Sequence, residues 1–363
     1  MSKILSNELV GKRESVQDQL LLLNPHQTPM ISLLGFGAPV DNVEHVWFED
    51  EMFPYDSKVT AAATASDTTL SVASVEPFRV GHVVKVGDEL MLVTAVDANS
   101  KTITVVRGYA GTTPADVSPD AVIDVQFVEG KESADAREGR YKPRDRKSNI
   151  TQIFDETVEI SGTAAAVAQY GIDDLYEYEK QKKQLELALQ LEKAIINGIR
   201  YESATVRQMN GIRSFIQTNV FDLNGEELTI DVLNDALQAI YSKGGFRTGA
   251  SYVIVVPAKQ KRVIGKFDKE LVTIPQGSES RGTVVNNLIT DFGEFPVAIN
   301  DNLQPDEVFI IDRNRIAIKP LRGREFFHEY LGKKGDYYQG MIVGEYTLEF
   351  LQEAAHARIK GAK

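Results

Sequence analysis

Hydrophobic and polar positions change their rhythm several times along this chain, and each change marks a different element. Residues 1 to 40 begin polar and pass into LLLLNPHQTPMISLLGFG, where Pro25, Pro29, Gly35 and Gly37 interrupt the apolar run. This predicts an extended or partly helical arm, which cannot bury its leucines alone and packs on the main domain or on a neighbouring subunit. From about 58 to 128 the runs are short and rich in Val, Thr and Ala, with Gly, Asn, Asp and Pro between them. The best hairpin joins Val83 to Val86 with Leu90 to Val93 through Gly87-Asp88. Strands at this spacing predict a small barrel or sandwich inserted into a longer element.

The strongest helical pattern runs from about Asp173 to Asn197. Asp173, Asp174, Glu177 and Glu179 crowd its start, and Gly198 stands where a left-handed cap belongs. Leu175, Tyr178, Leu185, Leu189 and Ile196 recur on one face. At 1.5 Å per residue this spine would span about 35 to 40 Å. A mixed pattern follows. Thr229 caps a helix with Leu233, Leu237 and Ile240 that ends at Gly244-Gly245, and Pro257 opens a helical turn after the apolar run YVIVV (252–256). Further strands are predicted at 295–300, 308–312 and 315–320, with a loop at 273–283. Tyr346, Leu348 and Phe350 alternate as in a long strand, with a helix over 348–359 as the alternative.

With 363 residues, 42% of them hydrophobic, the chain can build two or three packed cores. It has no Cys, which excludes disulfides, thiolate metal sites and thiol nucleophiles. Its formal charge of -12 repels phosphate and disfavours tight nucleic-acid binding. No signal peptide or membrane span is visible, so a cytosolic site of synthesis is expected. One basic stretch stands out: Arg137, Arg140, Lys142, Arg144, Arg146 and Lys147, against only Glu138 and Asp145. It reads either as a solvated loop or as a partner for acidic surface on a neighbouring copy.

Candidate chemistry is sparse. The four Gly-Lys pairs continue with Arg13, Glu132, Phe267 and Lys334, so none makes a phosphate-binding loop. Gly35-Phe36-Gly37 lacks a preceding strand and a third Gly. The five His residues (26, 45, 82, 328, 356) are far apart in sequence, and His328-Glu329 meets Gly332 where a zinc-binding helix would need a second His. Asp97, Asn99 and Lys101 imitate a calcium loop with a cation in the third ligand position, and are read as a β-turn. These features point to no catalytic, cofactor or metal site.

Several stretches, taken in order, resemble a known family: NPHQTPMISLLG (24–35), HVWFEDEM (45–52), GDELMLVTAV, VVRGYAGTTPA, the long segment 146–199, IIDRNRIAIKPLRG (310–323) and VGEYTLEFLQEAAHARIKG (343–361). They are similar to the major head proteins of tailed phages of the SU-type siphophage family, which adopt the Hong Kong ninety-seven capsid fold. The resemblance implies an α+β subunit with an N-terminal arm (1–40), an extended loop (41–57 and 129–160) carrying an all-β insertion domain (58–128), a peripheral domain (161–215 and 321–363) with the spine helix 173–197, and an axial domain (216–320). It implies a non-enzymatic major capsid protein without cofactors. Copies would assemble as pentamers and hexamers into an icosahedral shell in the virion, built in the host cytoplasm. Expected partners are further copies and packaged double-stranded DNA, touched weakly and without sequence specificity; a decoration protein and a portal are possible partners, scaffolding would come from a separate protein or from none, and no membrane is expected. Covalent cross-links between subunits are not expected, because the insertion rebuilds the extended loop. The residues expected at intersubunit contacts are Trp47 and Phe48 at the base of that loop and Arg140, Arg144 and Arg146 on its return. Trp47 and Phe48 could equally cap their own core. An encapsulin-like compartment shell, or a cytosolic α/β enzyme with a β-module lid, would share much of this pattern.

Overall fold

A computed structural model describes residues 28–132, 135–137, 139–167, 174–246, 249–267, 287–333 and 335–363. The chain divides into two compact units, Met1–Trp47 with Arg146–Lys363, and Phe48–Asp145.

Two sheets and a spine helix organise the first unit. The 14-residue strand Tyr337–Phe350 is antiparallel to Gln152–Ser161 along one edge, and along the other it pairs successively with Phe327–Lys333 and Ile316–Pro320. Tyr346, Leu348 and Phe350 lie in this strand, as the alternation predicts. The helical alternative for 348–359 is overturned: the chain makes a short 3-10 turn at Glu353–Ala355 and then the strand Ala357–Lys360. Gln352 at φ 52 starts that turn, and His356, fully buried, follows it. An α-helix would carry His356 away from the pocket that Phe350 and Asp312 form around it.

The second sheet has six strands in the order Val220–Asp222, Ala357–Lys360, Val308–Asp312, Tyr252–Val256, Gly293–Ile299 and Asn287–Thr290. Tyr252–Val256 is parallel to Gly293–Ile299 and antiparallel to Val308–Asp312. All five residues of YVIVV are buried because both faces of this strand are covered. Val253 and Val255 join the core around the spine helix, whereas Tyr252, Ile254 and Val256 face the helix Ile230–Ser242 through Leu233, Ala236, Leu237 and Ile240. The Thr229 hydroxyl caps that helix at the Val232 amide, and Gly244 takes the left-handed turn at its end with φ 75.

The spine helix spans Leu175–Asn197, with the Asp174 carboxylate accepting from the Tyr176 and Glu177 amides. Asp173 and the loop 273–283 lie outside the described residues. Two details differ from expectation. The buried face is Leu187, Leu191, Ile195 and Ile196, while Leu185 is exposed and Leu189 only half-buried. The fully buried stripe is confined to the C-terminal half of the helix, while Leu175 and Tyr176 in the first turn are only partly buried against the same core. Gly198 is not left-handed either: its φ is -53, and a Cβ there would stand 2.5 Å from the Ala194 carbonyl and 2.6 Å from that of Met209. Glycine is required for close approach of backbones, not for its conformational freedom.

A short helix, Pro29–Leu34, begins the described part of the arm, and Met30 is buried in the spine-helix core. Its own cap residue, Thr28, makes no side-chain cap bond. Glu192, completely buried in the spine helix, supplies one instead: its carboxylate accepts from the Met30 amide at 2.8 Å, the Ile31 amide at 2.9 Å and Asn300 Nδ2 at 2.7 Å. Burial raises its pKa against the pull of these three donors.

The second unit is built from one six-stranded sheet, Asp56–Lys58, Val122–Val128, His82–Val86, Glu89–Asp97, Thr102–Val106 and Thr69–Ser71. A Val59↔Val72 bridge, with the Ala73 amide donating to the Lys58 carbonyl, joins the two edges and closes the sheet on itself. Val84, Met91, Val93, Ile103, Val105 and Ile123 fill the interior. The hairpin forms where expected, with Gly87 at φ 58 between Val86 and Glu89. Asp97 Oδ1 accepts from the Asn99 and Ser100 amides, so that stretch is a turn. Glu89 and Arg107, almost fully buried, lock the loops at one end. Arg107 grips Glu89 through Nε and Nη2 and also donates to the carbonyls of Thr64, Asp67 and Ala115. Burial pushes the Glu89 carboxyl up, but Arg107 and the Ala115 and Gly108 amides outweigh it and hold it below the usual carboxylate range.

Candidate assembly surface

The chain leaves the first unit along the strand Glu44–Glu49 and returns along Asp145–Ile150, and these two strands pair with each other. Their continuations, 48–53 and 140–144, line a cleft of about 560 Å³ with Phe48, Asp50, Glu51, Phe53, Arg140, Tyr141, Lys142, Pro143 and Arg144 on its walls. Acidic residues on the outgoing stretch match basic ones on the return. Lys142 Nζ is 3.2 Å from Glu51, Arg144 Nε 3.5 Å from Asp50, and Arg146 Nη2 3.1 Å from Glu44. Arg140 differs, stacking 4.3 Å over the Phe53 ring and donating to the carbonyls of Glu76 and Pro77. Lys142, Arg144 and Arg146 therefore already meet acidic partners within their own chain. These pairs are largely exposed, so each adds little stability and can exchange partners.

Strand alternation separates the two aromatic candidates. Trp47 is 7% exposed and packs against Phe215 and His45, capping the core of its own unit, whereas Phe48, 66% exposed, points outward. Met52, Tyr55 and Tyr141 are also widely exposed. Sequence reasoning passed over these three. The available signal was an apolar or aromatic residue isolated inside a strongly charged run, a setting in which nothing local can bury it.

The base of this stretch is fastened by a small polar cluster. His45 Nε2 lies 2.6 Å from Glu349, and Lys319 Nζ lies 2.5 Å from the same oxygen. The His45 contact, with Lys319 assisting and burial opposing, holds the Glu349 carboxyl below the usual range. The other histidines stand apart. His328 accepts or donates a hydrogen bond with the Tyr176 hydroxyl at 2.8 Å, and His26 lies outside the described residues. His328 and Glu329 sit on the strand Phe327–Lys333, which points them to opposite faces. Among the described residues no group of three His, Asp or Glu side chains could hold a metal ion.

Comparison with known proteins gives this geometry its context. The chain is similar over 98% of its length to a cyanophage A-1(L) capsid chain, of which 98% is covered (TM-score 0.58, 9% identity). The capsid of a native GTA particle matches over 99% of this chain and 98% of its own (TM-score 0.57, 10% identity). Identities this low speak for the fold alone, a mixed α/β phage-capsid fold. In sequence, 67 residues are 39% identical to the major capsid protein of Escherichia phage Phieco32; this covers 18% of this chain and 19% of that protein. The family model described as SU10 major capsid protein matches residues 3–363, and a match of that extent means that the chain belongs to the SU10 major capsid protein family.

Proposed function

We propose that copies of this chain assemble as pentamers and hexamers into the closed icosahedral shell of a tailed-phage head, located in the virion and built in the host cytoplasm. The observation that carries this reading is the family match over residues 3–363. The subunit would then be divided as follows. Residues 41–57 and 129–160 form the extended loop, carrying the closed β unit at 58–128 as its insertion. Residues 1–40 form the arm, 161–215 and 321–363 the peripheral domain, and 216–320 the axial domain. Phe48, Arg140, Arg144 and Arg146 supply contacts to a neighbouring copy; intrachain ion pairs hold Arg144 and Arg146 in place until that copy arrives, and the Phe53 ring with the Glu76 and Pro77 carbonyls holds Arg140. Trp47 supports the contact from beneath. A decoration protein, a portal and a separate scaffold complete the head, without covalent cross-links between subunits. The chain acts without catalysis or cofactor, as its family and fold suit a structural part. Among the described residues no helix is long and apolar enough to cross a membrane.

The test is expression of the chain alone, followed by sedimentation and electron microscopy. Uniform shells, or rings of five and six, are expected. A persistent monomer, with and without a co-expressed scaffold, would remove the assembly reading. The contact residues are tested by Arg144→Glu together with Phe48→Ser, expected to lower the assembled fraction; unchanged assembly would count against that surface.

A further inference from the structure

The turn from Glu76 to His82 gathers positive charge that pairs with no carboxylate among the described residues. Pro77 and Phe78 are buried and anchor the turn. The carbonyls of Glu76 and Pro77 accept from Arg140 Nη1 at 3.1 and 3.2 Å. At the other end, a Cβ built on Gly81 would stand 3.5 Å from Nη2 of Arg137, which also donates to the Glu129 carbonyl. Arg79, half-buried, comes from the turn itself. The hydrogen bonds of Arg137 and Arg140 thus all go to neutral carbonyls. No carboxylate of the described residues, neighbouring Glu76, Glu129 and Asp135 included, lies within ion-pairing distance of any of the three guanidiniums.

Beneath them lies His82, 6% exposed, whose Nδ1 has no hydrogen-bond partner. Burial first, and then the charges of Arg140, Arg79 and Arg137, bring its pKa down to about 4. The ring is neutral at pH 7 and adds no charge of its own; the contacts at Glu76, Pro77 and Gly81 bring Arg140 and Arg137 to the same turn that carries Arg79. Guanidinium forks match oxyanions, and like charges held together by a fold are stabilised by whatever oxyanion enters among them.

We propose that Arg79, Arg137 and Arg140 form an oxyanion seat, filled in the assembled shell by an exposed Asp or Glu side chain of a second copy of this chain. The second half rests on the shell reading above. A carboxylate of a neighbouring copy is favoured over a nucleic-acid phosphate by charge. With 52 acidic residues against 40 basic, a neighbour offers carboxylates at high density, whereas the net charge of -12 opposes nucleic acid.

Sulfate on the unassembled full-length chain probes the seat itself. At matched ionic strength, sulfate in place of chloride is expected to raise the unfolding temperature by about 3 °C or more, in excess of the rise shown by an Arg79→Gln/Arg137→Gln double variant. Arg140 is left in place because its bonds to the carbonyls of Glu76 and Pro77 hold the turn. Equal sulfate responses of wild type and variant would overturn the seat. Assembly probes the occupant: the variant, with an unfolding temperature in chloride like that of wild type, is expected to lose assembled particles roughly tenfold on sedimentation. Undiminished assembly would overturn filling by a second copy. So would wild-type shells that hold nucleic acid which variant shells release, an outcome that assigns the seat to phosphate. If wild type itself forms no particles, the shell reading fails, and the sulfate comparison still decides whether the seat exists.

Discussion

Two buried polar residues, Glu192 and His356, tie distant parts of the first unit together. Glu192 reads in sequence as one more carboxylate on a charged helix, yet it is completely buried and closes the start of the helix Pro29–Leu34. Glu192→Ala strands two backbone amides and Asn300 Nδ2, and is expected to destabilise the unassembled chain by about 3 kcal/mol in urea unfolding. Glu192→Gln, which keeps an acceptor, should lose clearly less. His356 is the pH-sensitive counterpart. The Asp312 amide donates to its Nδ1 at 3.2 Å, its ring packs 4.4 Å from that of Phe350, and burial brings its pKa down to about 4. The folded pKa lies below the ordinary 6.5, so the unfolded chain takes up the proton first. Its contribution is complete above pH 6.5 and is lost as the pH falls toward 4, by roughly 1.4 kcal/mol per pH unit. His356→Gln should flatten that part of the stability–pH curve while lowering stability at pH 7, which urea unfolding at stepped pH measures. Neither role was legible beforehand, because a lone Glu or His carries no sequence sign of what encloses it.

Elements were far more legible, since periodicity and caps are local. The helix Ile230–Ser242, the strands Tyr252–Val256 and Val308–Asp312 and the hairpin at Gly87-Asp88 stand where pattern and turn chemistry put them. What failed was the reason for a residue more often than its element. Gly198 ends the spine helix as expected, but for a steric reason set by Met209 and Gly211, which follow it around a turn. Gly198→Ala pushes a Cβ into backbone carbonyls that cannot swing aside, and a loss of about 2 to 4 kcal/mol is expected in thermal unfolding. A left-handed cap would have made Gly198→Asn a mild change; here it should be as damaging as Ala. The same blindness to distant partners explains the spine's face. Leu185 fits the helical stripe but is exposed, whereas Leu187 and Leu191 are fully buried.

At the scale of the molecule, charge and family decide more than any single contact. A container wall of charge -12 should let packaged DNA move instead of sticking. Purified shells incubated with double-stranded DNA at about 50 mM salt are expected to retain none on sedimentation, a salt level at which phosphate binding would be strong if present. Retention would show that basic residues line the inner face. The sequence by itself determined the absence of thiol chemistry, the sign of the surface, the main helices and strands, the turn chemistry of the β unit and the resemblance to phage head proteins, because composition, periodicity and motifs are properties of neighbours along the chain. Tertiary structure alone decided that Trp47 is buried while Phe48 projects, that Lys142, Arg144 and Arg146 meet acids of their own chain, that Glu192 caps a helix more than 150 positions away, and that Arg137 and Arg140 come to the turn that carries Arg79. These depend on residues brought together by long-range packing, where burial and Coulomb forces act through space and the order of the chain carries no record of them.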